Sequence, residues 1–437
     1  MAATVPAVIR AQIPRVACPL VLSADRDRRF RQALAVIVLL GAVLRIAYVL
    51  TVTRYDDDLY DATWYEMVAS SIAHGDGFFE DPFEPGGGPG ADHPPLTVLL
   101  LVPAGFLEEG GHGAVLMRLT MVAIGCGTIV LVGLLGRKVG GAGVGLLAAG
   151  LAAVDPNLWM NDGLLMSESI ATALVTALVL AVFTTLDGGP TPRRAILLGL
   201  LAGAITLARG ELVILAAALV LGALVSAASR WRLLATAAMT MMLVMAPWVT
   251  FNLVRFEEPT TISTNLGLAL RAGNCPSTYH GELLGWAQVY PFCTPARAGR
   301  EQSVWDAAIR REGLAYMRDN LDRLPVVVAA RVGRLWNVYR VEQSVELTSK
   351  EGRPTWAGWS GAVATWLLVP VAVFGAVQLR RRGQRIWPLV VPIVATTAVA
   401  AGLSGVPRYR APSEPALLVL AAAGAIALTH RARARSQ

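Results

Sequence analysis

The sequence predicts an all-α, polytopic membrane protein, and three observations carry that prediction. The 437 residues are 54% hydrophobic and only 16% charged, with a mean hydropathy of +0.53, whereas soluble domains carry about a quarter charged residues. Apolar runs of roughly 18 to 20 residues, the length that crosses a bilayer core, recur along the chain. Short basic clusters follow alternate runs, as the positive-inside rule asks of cytoplasmic loops.

Ten spans result, at roughly 33–53, 114–135, 141–156, 167–186, 195–208, 211–228, 233–251, 357–378, 386–404 and 415–429. The fifth is short, and its boundary with the sixth at "ARGE" is open. Arg137 with Lys138, Arg193 with Arg194, Arg230 with Arg232, Arg380 to Arg382 with Arg385, and the terminal "HRARARSQ" then share one side with "DRDRRFR" ahead of the first span. The first run, "QALAVIVLLGAVLRIAYVLTV", is long enough to stay as an anchor after any signal-like processing is excluded. The chain divides into a cytoplasmic tail (1–32), a transmembrane core (33–251) that includes an external loop (54–95), an external region (252–356), C-terminal spans (357–429) and a second tail (430–437). The formal charge of +7 is mostly topology signal. Nucleic-acid binding would need a basic face, and none is present.

The side opposite the basic clusters carries the unusual loops. Residues 55–92 hold ten carboxylates and no Lys or Arg. The run "LTVLLLVPAGFL" is too short to cross and is re-entrant, interfacial or an extension of the second span. Within 252–356, "LPVVVAARVGRLWNVYR" carries two internal arginines, which predicts a segment lying on the membrane surface. Cys275 and Cys293 both fall in this external region, where an oxidising exterior favours a disulfide over two free thiols. Cys18 lies on the tail and Cys126 within a span.

In "DATWYEMVASSIA" (61–73) the apolar Trp64, Met67, Val68 and Ile72 follow helical spacing, with Asp61 at the start and Tyr65 one turn on. Asp61 is either a helix cap or a carboxylate held at the interface where a lipid-linked substrate would present its head group. No metal-ligand spacing occurs, the glycines of "PGGGPG" lack P-loop spacing, and no internal repeat marks a two-halved transporter. His74 and Asp76 read as loop residues.

Asp61, Tyr65, Ala69 and Gly75, followed by "ADHPPL" at 91–96, resemble the first external loop of the family 39 glycosyltransferases of the GT-C fold, which include protein O-mannosyltransferases and lipid A aminoarabinose transferases. The resemblance continues through "AAVDPNLWMNDGLLMSES", "LARGE", "STNLGLALRAGNC" and "GVPRYRAPSEP". It implies a GT-C transmembrane core of about ten spans with external loop helices. It makes Asp61 the catalytic base and Glu168 a second active-site carboxylate, and places Asp92 and Tyr65 in the substrate loop. Ala62 stands where relatives often carry a second acid, and Asp56, Asp57 and Asp58 lie just upstream, so the base is one of these four aspartates. His93 replaces a lysine frequent in aminoarabinose transferases. The resemblance implies no nucleotide sugar, while oligosaccharyltransferase-like relatives use a divalent metal.

The implied reaction transfers a sugar from a polyprenyl-phosphate donor to an acceptor hydroxyl on protein, glycolipid or polysaccharide, at the external face of the cytoplasmic membrane. A base must take the hydroxyl proton, and positive groups must stabilise the leaving phosphate. His93, Arg209, Arg408 and Arg410 are the candidates for the phosphate. Arg408 and Arg410 come first, because arginine suits bidentate phosphate recognition. Each arginine also has a plain reading, as a side chain snorkelling at a span edge. Arg209 with Glu211 reads equally as a structural pair, and Glu168 as a helix-dipole carboxylate. A lipid or solute transporter and an inactive envelope-assembly scaffold are the rival functions.

Overall fold

The structure, a computed structural model, describes residues 19–53, 61–84, 88–107, 113–289 and 292–435. Among these the regular structure is helical, apart from one isolated bridge between Glu80 and Pro89. The first part of the chain forms α1 (Pro19–Thr51), α2 (Asp61–His74), α3 (Pro95–Gly105), α4 (Gly113–Gly140), α5 (Ala142–Val154), α6 (Pro156–Asp162), α7 (Glu168–Gly188), α8 (Pro192–Ala208), α9 (Val213–Leu224) and α10 (Arg230–Arg255). Shorter helices follow as α11 (Leu266–Gly273), α12 (Pro276–Tyr279), α13 (Gln302–Asp319), α14 (Leu324–Leu335) and α15 (Val341–Ser349). The apolar pattern then returns in α16 (Thr355–Arg381), α17 (Trp387–Gly402) and α18 (Glu414–Arg435).

Each of the ten apolar runs contains a helix, yet among the described residues length and hydropathy together qualify six as spans, or seven if the bent pair α5–α6 is one broken span. The expected count of about ten is therefore not reached. α8, α9 and α17 have 17, 12 and 16 residues, because the chain breaks at Arg209 and beyond Gly402. α1 starts within the stretch assigned to the first tail. The run "LTVLLLVPAGFL" forms α3, which ends before α4 begins and packs against both α2 and α4.

One apolar core is shared by α1, α4, α5, α7, α8, α9 and α16 to α18. A second joins Trp64, Tyr65, Val68 and Ala69 of α2 to Val98 and Leu101 of α3, Met117 and Met121 of α4, and Trp248 of α10. The buried stripe of α2 is turned from the expected one, taking in Tyr65 and leaving Met67 40% exposed. Where α16 crosses α18, Gly375 and Gly424 leave no room for a side chain, the close approach that small residues permit between membrane helices.

A break between α5 and α6 turns the chain by 55°. Pro156 cannot continue α5, and the Asp155 side chain accepts the Asn157 N–H at 2.9 Å to start α6. Such a break frees carbonyls, and hydrocarbon offers them no water. Arg45 of α1 supplies the donors, reaching Ala153 O at 2.8 Å, Ala152 O at 3.0 Å and Asp162 Oδ2 at 2.7 Å. Both members of the Arg45–Asp162 pair are buried, and Gly125 of α4 has no room for a Cβ against Asp162.

Near the other short helices, Cys275 and Cys293 are joined as a disulfide with Cα atoms 5.8 Å apart. α14 corrects the reading of its arginines, since Arg331 and Arg334 are fully buried. Arg331 donates to Ala401 O, Gly402 O and Gly273 O, tying the end of α17 to α11. Arg334 donates to Leu284 O and Glu282 O. Guanidinium carries five donors, and here they meet carbonyls left over at helix and loop ends, so the charge faces inward.

Arg45→Ala should cost about 3–5 kcal/mol, because it leaves a buried carboxylate and two carbonyls unpaired. Thermal unfolding in detergent checks this, and Arg45→Ala/Asp162→Asn should recover part of the loss. An unchanged melting temperature for Arg45→Ala would show that the pair contributes nothing.

Candidate active site

Helix ends at one side of the bundle meet at the guanidinium of Arg408. Arg408 belongs to a 3₁₀ segment, Pro407–Ser413, that leads into α18. Its Nη2 lies 2.9 Å from Asp61 Oδ2 at the start of α2. Its Nη1 lies 3.3 Å from Glu168 Oε1 at the start of α7. Its Nε lies 3.4 Å from Glu351 Oε2, in the turn after α15. One cation thus faces three carboxylates from segments far apart in sequence.

A second arginine stands beside it. The helix α8 stops at Arg209, whose backbone is extended and whose neighbour is Gly210, and the stop turns the guanidinium toward the site. Arg209 Nη1 reaches the same Glu168 Oε1 at 2.8 Å, and its Nε reaches Glu211 at 2.6 Å. The Tyr409 ring lies 5.3 Å from the Arg209 guanidinium and 5.6 Å from that of Arg408, within cation–π range. Glu168 is buried, and its Oε2 has no protein partner. A buried acceptor in that state calls for a ligand or an ordered water.

His93 closes the other flank. Its Nε2 is 3.6 Å from Asp61 Oδ1 and its ring stacks on Tyr65 at 4.8 Å, with Trp64 edge-on at 5.1 Å. Burial works to raise the Asp61 carboxyl, but Arg408 and His93 outweigh it and hold the group well below the usual carboxylate range. Burial pushes the Tyr65 phenol well above its ordinary value, so this hydroxyl stays protonated and serves as a donor.

The site residues expected from sequence divide into two groups. Asp61, Glu168, His93, Arg209, Arg408 and Tyr65 converge. Asp92 lies beside them, with His93, Asp81 and Arg297 as the charges acting on it, and burial raises its carboxyl to about 6. Arg410 does not join them. It is buried and bonded to Glu414 at 2.6 Å, Leu335 O at 2.6 Å and Thr365 Oγ1 at 2.7 Å. A 3₁₀ helix turns about 120° per residue, so residues two apart face different ways. Asp56, Asp57 and Asp58 lie outside the described residues.

Two further residues were missed. Glu351 and Arg353 flank Gly352, whose φ of 81° makes the turn. Arg353 bonds Glu351 at 2.8 Å and Asn161 at 3.0 Å. The only signal was "EGRP", opposite charges around a glycine just before a span. Among the described residues no group of three or more His, Cys, Asp or Glu side chains is arranged to hold a metal. Asp61, Glu168, Glu211 and Glu351 each bond a guanidinium.

No family model and no curated protein matches the sequence. Solved structures do. An oligosaccharyltransferase of Archaeoglobus fulgidus, AglB in complex with an inhibitory peptide and a dolichol-phosphate, matches over 94% of this chain at 15% identity and TM-score 0.54. The apo form of the oligosaccharyltransferase from the same organism gives 93%, 16% and 0.55. The chain spans about half the length of these proteins, 52% in both. ArnT from Cupriavidus metallidurans, bound to undecaprenyl phosphate, matches over 89% of this chain and 76% of its own, at 15% identity and TM-score 0.44. The likeness to the oligosaccharyltransferase is one of fold, and it bears out the all-α, GT-C-type membrane core expected from the sequence.

Two outcomes follow from the geometry. Arg410→Ala should lower the melting temperature by more than Arg408→Gln, because Arg410 and its partner Glu414 are both fully buried whereas Arg408 and Asp61 are partly exposed. Equal thermal loss in both variants would make Arg408 structural as well. Because the folded protein holds the Asp92 proton up to about pH 6, the folded state binds more protons than the unfolded one between about pH 4 and 6. Stability should therefore fall as pH rises through that window, and Asp92→Asn should flatten the slope measured by thermal unfolding.

Proposed function

We propose that the chain is a membrane glycosyltransferase that moves a sugar from a polyprenyl-phosphate donor to an acceptor hydroxyl at the external face of the cytoplasmic membrane. The observation that carries this reading is the meeting of Asp61, Glu168, Arg209 and Arg408 at one end of the bundle. It provides an acid–base group and a cationic subsite within one contact network. The oligosaccharyltransferase that shares the fold was solved with a dolichol-phosphate, which supports a lipid phosphate as the donor's anchor here.

In the proposed reaction the acceptor hydroxyl gives its proton to an Asp61 oxygen, and its oxygen attacks the anomeric carbon. The bond from that carbon to the phosphate oxygen breaks, and polyprenyl phosphate leaves with the electron pair. Attack opposite the leaving group inverts the anomeric centre. Arg408 and Arg209 stabilise the charge that develops on the phosphate, and the free oxygen of Glu168 accepts a hydroxyl of the donor or acceptor. Tyr65 and Trp64 fix the plane of His93, which flanks the base.

The charges inside the bundle give the transporter reading little support. Arg45, Asp162, Arg410 and Glu414 are each paired to an opposite charge, and both arginines also bond backbone carbonyls. That pattern belongs to fixed locks more than to groups that exchange a passing solute.

Asp61→Asn tests the base. Asn caps helices about as well as Asp but cannot take a proton, so transfer from a polyprenyl-phosphate sugar should fall by about a hundred- to ten-thousand-fold. Asp56→Asn, Asp57→Asn and Asp58→Asn should be milder. Collapse in one of those three with near-normal Asp61→Asn would move the base upstream, and normal turnover in all four would remove the mechanism.

A further inference from the structure

Every guanidinium nitrogen of Arg408 already faces a carboxylate: Nη2 toward Asp61, Nη1 toward Glu168 and Nε toward Glu351. Arg209 is likewise occupied by Glu168 and Glu211, and Arg353 by Glu351 and Asn161. Four carboxylates thus surround three guanidiniums, with His93 beside them. An anionic phosphate that takes an edge of Arg408 therefore competes with the carboxylate already on that edge.

The three carboxylates on Arg408 are unequal. Glu168 is 1% exposed and shared with Arg209, and Glu351 is 21% exposed and also bonded to Arg353. Asp61 is 30% exposed, and Arg408 is its only guanidinium partner among the described residues. It also opens a helix at the loop side of the site, and its other neighbour is the imidazole of His93 at 3.6 Å. Asp61 is the side chain that can yield.

We propose that the donor phosphate displaces Asp61 from Arg408, so that binding of the donor is also what frees the base. This inference rests on the functional reading above and deepens it. Paired with the Arg408 guanidinium, the Asp61 carboxylate is a poor proton acceptor. Once phosphate takes the Nη2 edge, Asp61 loses its strongest cationic partner and gains an anionic neighbour, and both changes raise its proton affinity. The base is quenched until the donor is seated, which couples proton abstraction to an occupied site.

The coupling has a sign that a structural role for Asp61 lacks, because removing the competitor should improve donor binding even as it stops turnover. The measurement is equilibrium binding of undecaprenyl phosphate, without sugar, to the purified full-length chain and its variants. Asp61→Asn should bind about ten- to a hundredfold more tightly, the usual worth of one charge-assisted contact. Glu351→Gln should bind more tightly by less. Glu84→Gln, whose carboxylate bonds Arg297, serves as the charge control and should match wild type. If Asp61→Asn does not fold, Asp61→Ser keeps a capping oxygen and reads the same quantity. Binding by the Asp61 variant that equals or falls below wild type overturns the inference and leaves the proposed function standing. Equal tightening in Glu84→Gln overturns it too, in favour of general charge repulsion. If wild type and all variants fail to bind undecaprenyl phosphate, the functional reading falls and this inference with it.

Discussion

A charge removed from water must find an opposite charge or a set of oriented dipoles, and this requirement at Arg408 holds the site together. Its guanidinium links the start of α2, the start of α7 and the turn after α15. The Asp61 contact joins residues 347 positions apart. Without a cation there, three carboxylates would face one another at the edge of an apolar core. The same rule recurs deeper in the bundle, where Arg45 answers the broken helix α5–α6 and Arg410 answers Glu414.

Broken helices are the device that brings these groups into position. A continuous helix in a membrane satisfies its own backbone and directs side chains outward around its axis. Ends and breaks do otherwise. The stop at Arg209, the 3₁₀ segment at Pro407–Ser413 and the starts of α2 and α7 each present a charged side chain at an end of a helix. The short span-like helices that reduce the span count arise from these same interruptions, so the feature that lowers the number of full spans is also the one that builds the site.

The likeness to the archaeal oligosaccharyltransferase extends over nearly all of this chain but about half of that one. What is shared is therefore the helical membrane part with its loop helices. Within that frame this chain's own residues set the charges of the site, above all the carboxylate pair Asp61 and Glu168 on one arginine.

Hydropathy, helical period and the side-to-side bias of Arg and Lys are properties of neighbouring residues. They were enough to determine the membrane class, a helix for every apolar run, the helix carrying Asp61 and Tyr65, and the interruption at "ARGE". Contacts between distant segments were not legible in that way. The pair Arg408 and Arg410 looked alike in sequence, and the turn of a 3₁₀ helix sends one to the site and the other into the bundle. Arg331 and Arg334 looked like surface charges until packing supplied carbonyls for them. Glu351 and Arg353 left only the charges around the glycine of "EGRP", because their role depends on which helix end lies opposite. Local sequence sets what each segment is, whereas ion-pair partners in a low-dielectric interior are chosen by how the segments pack.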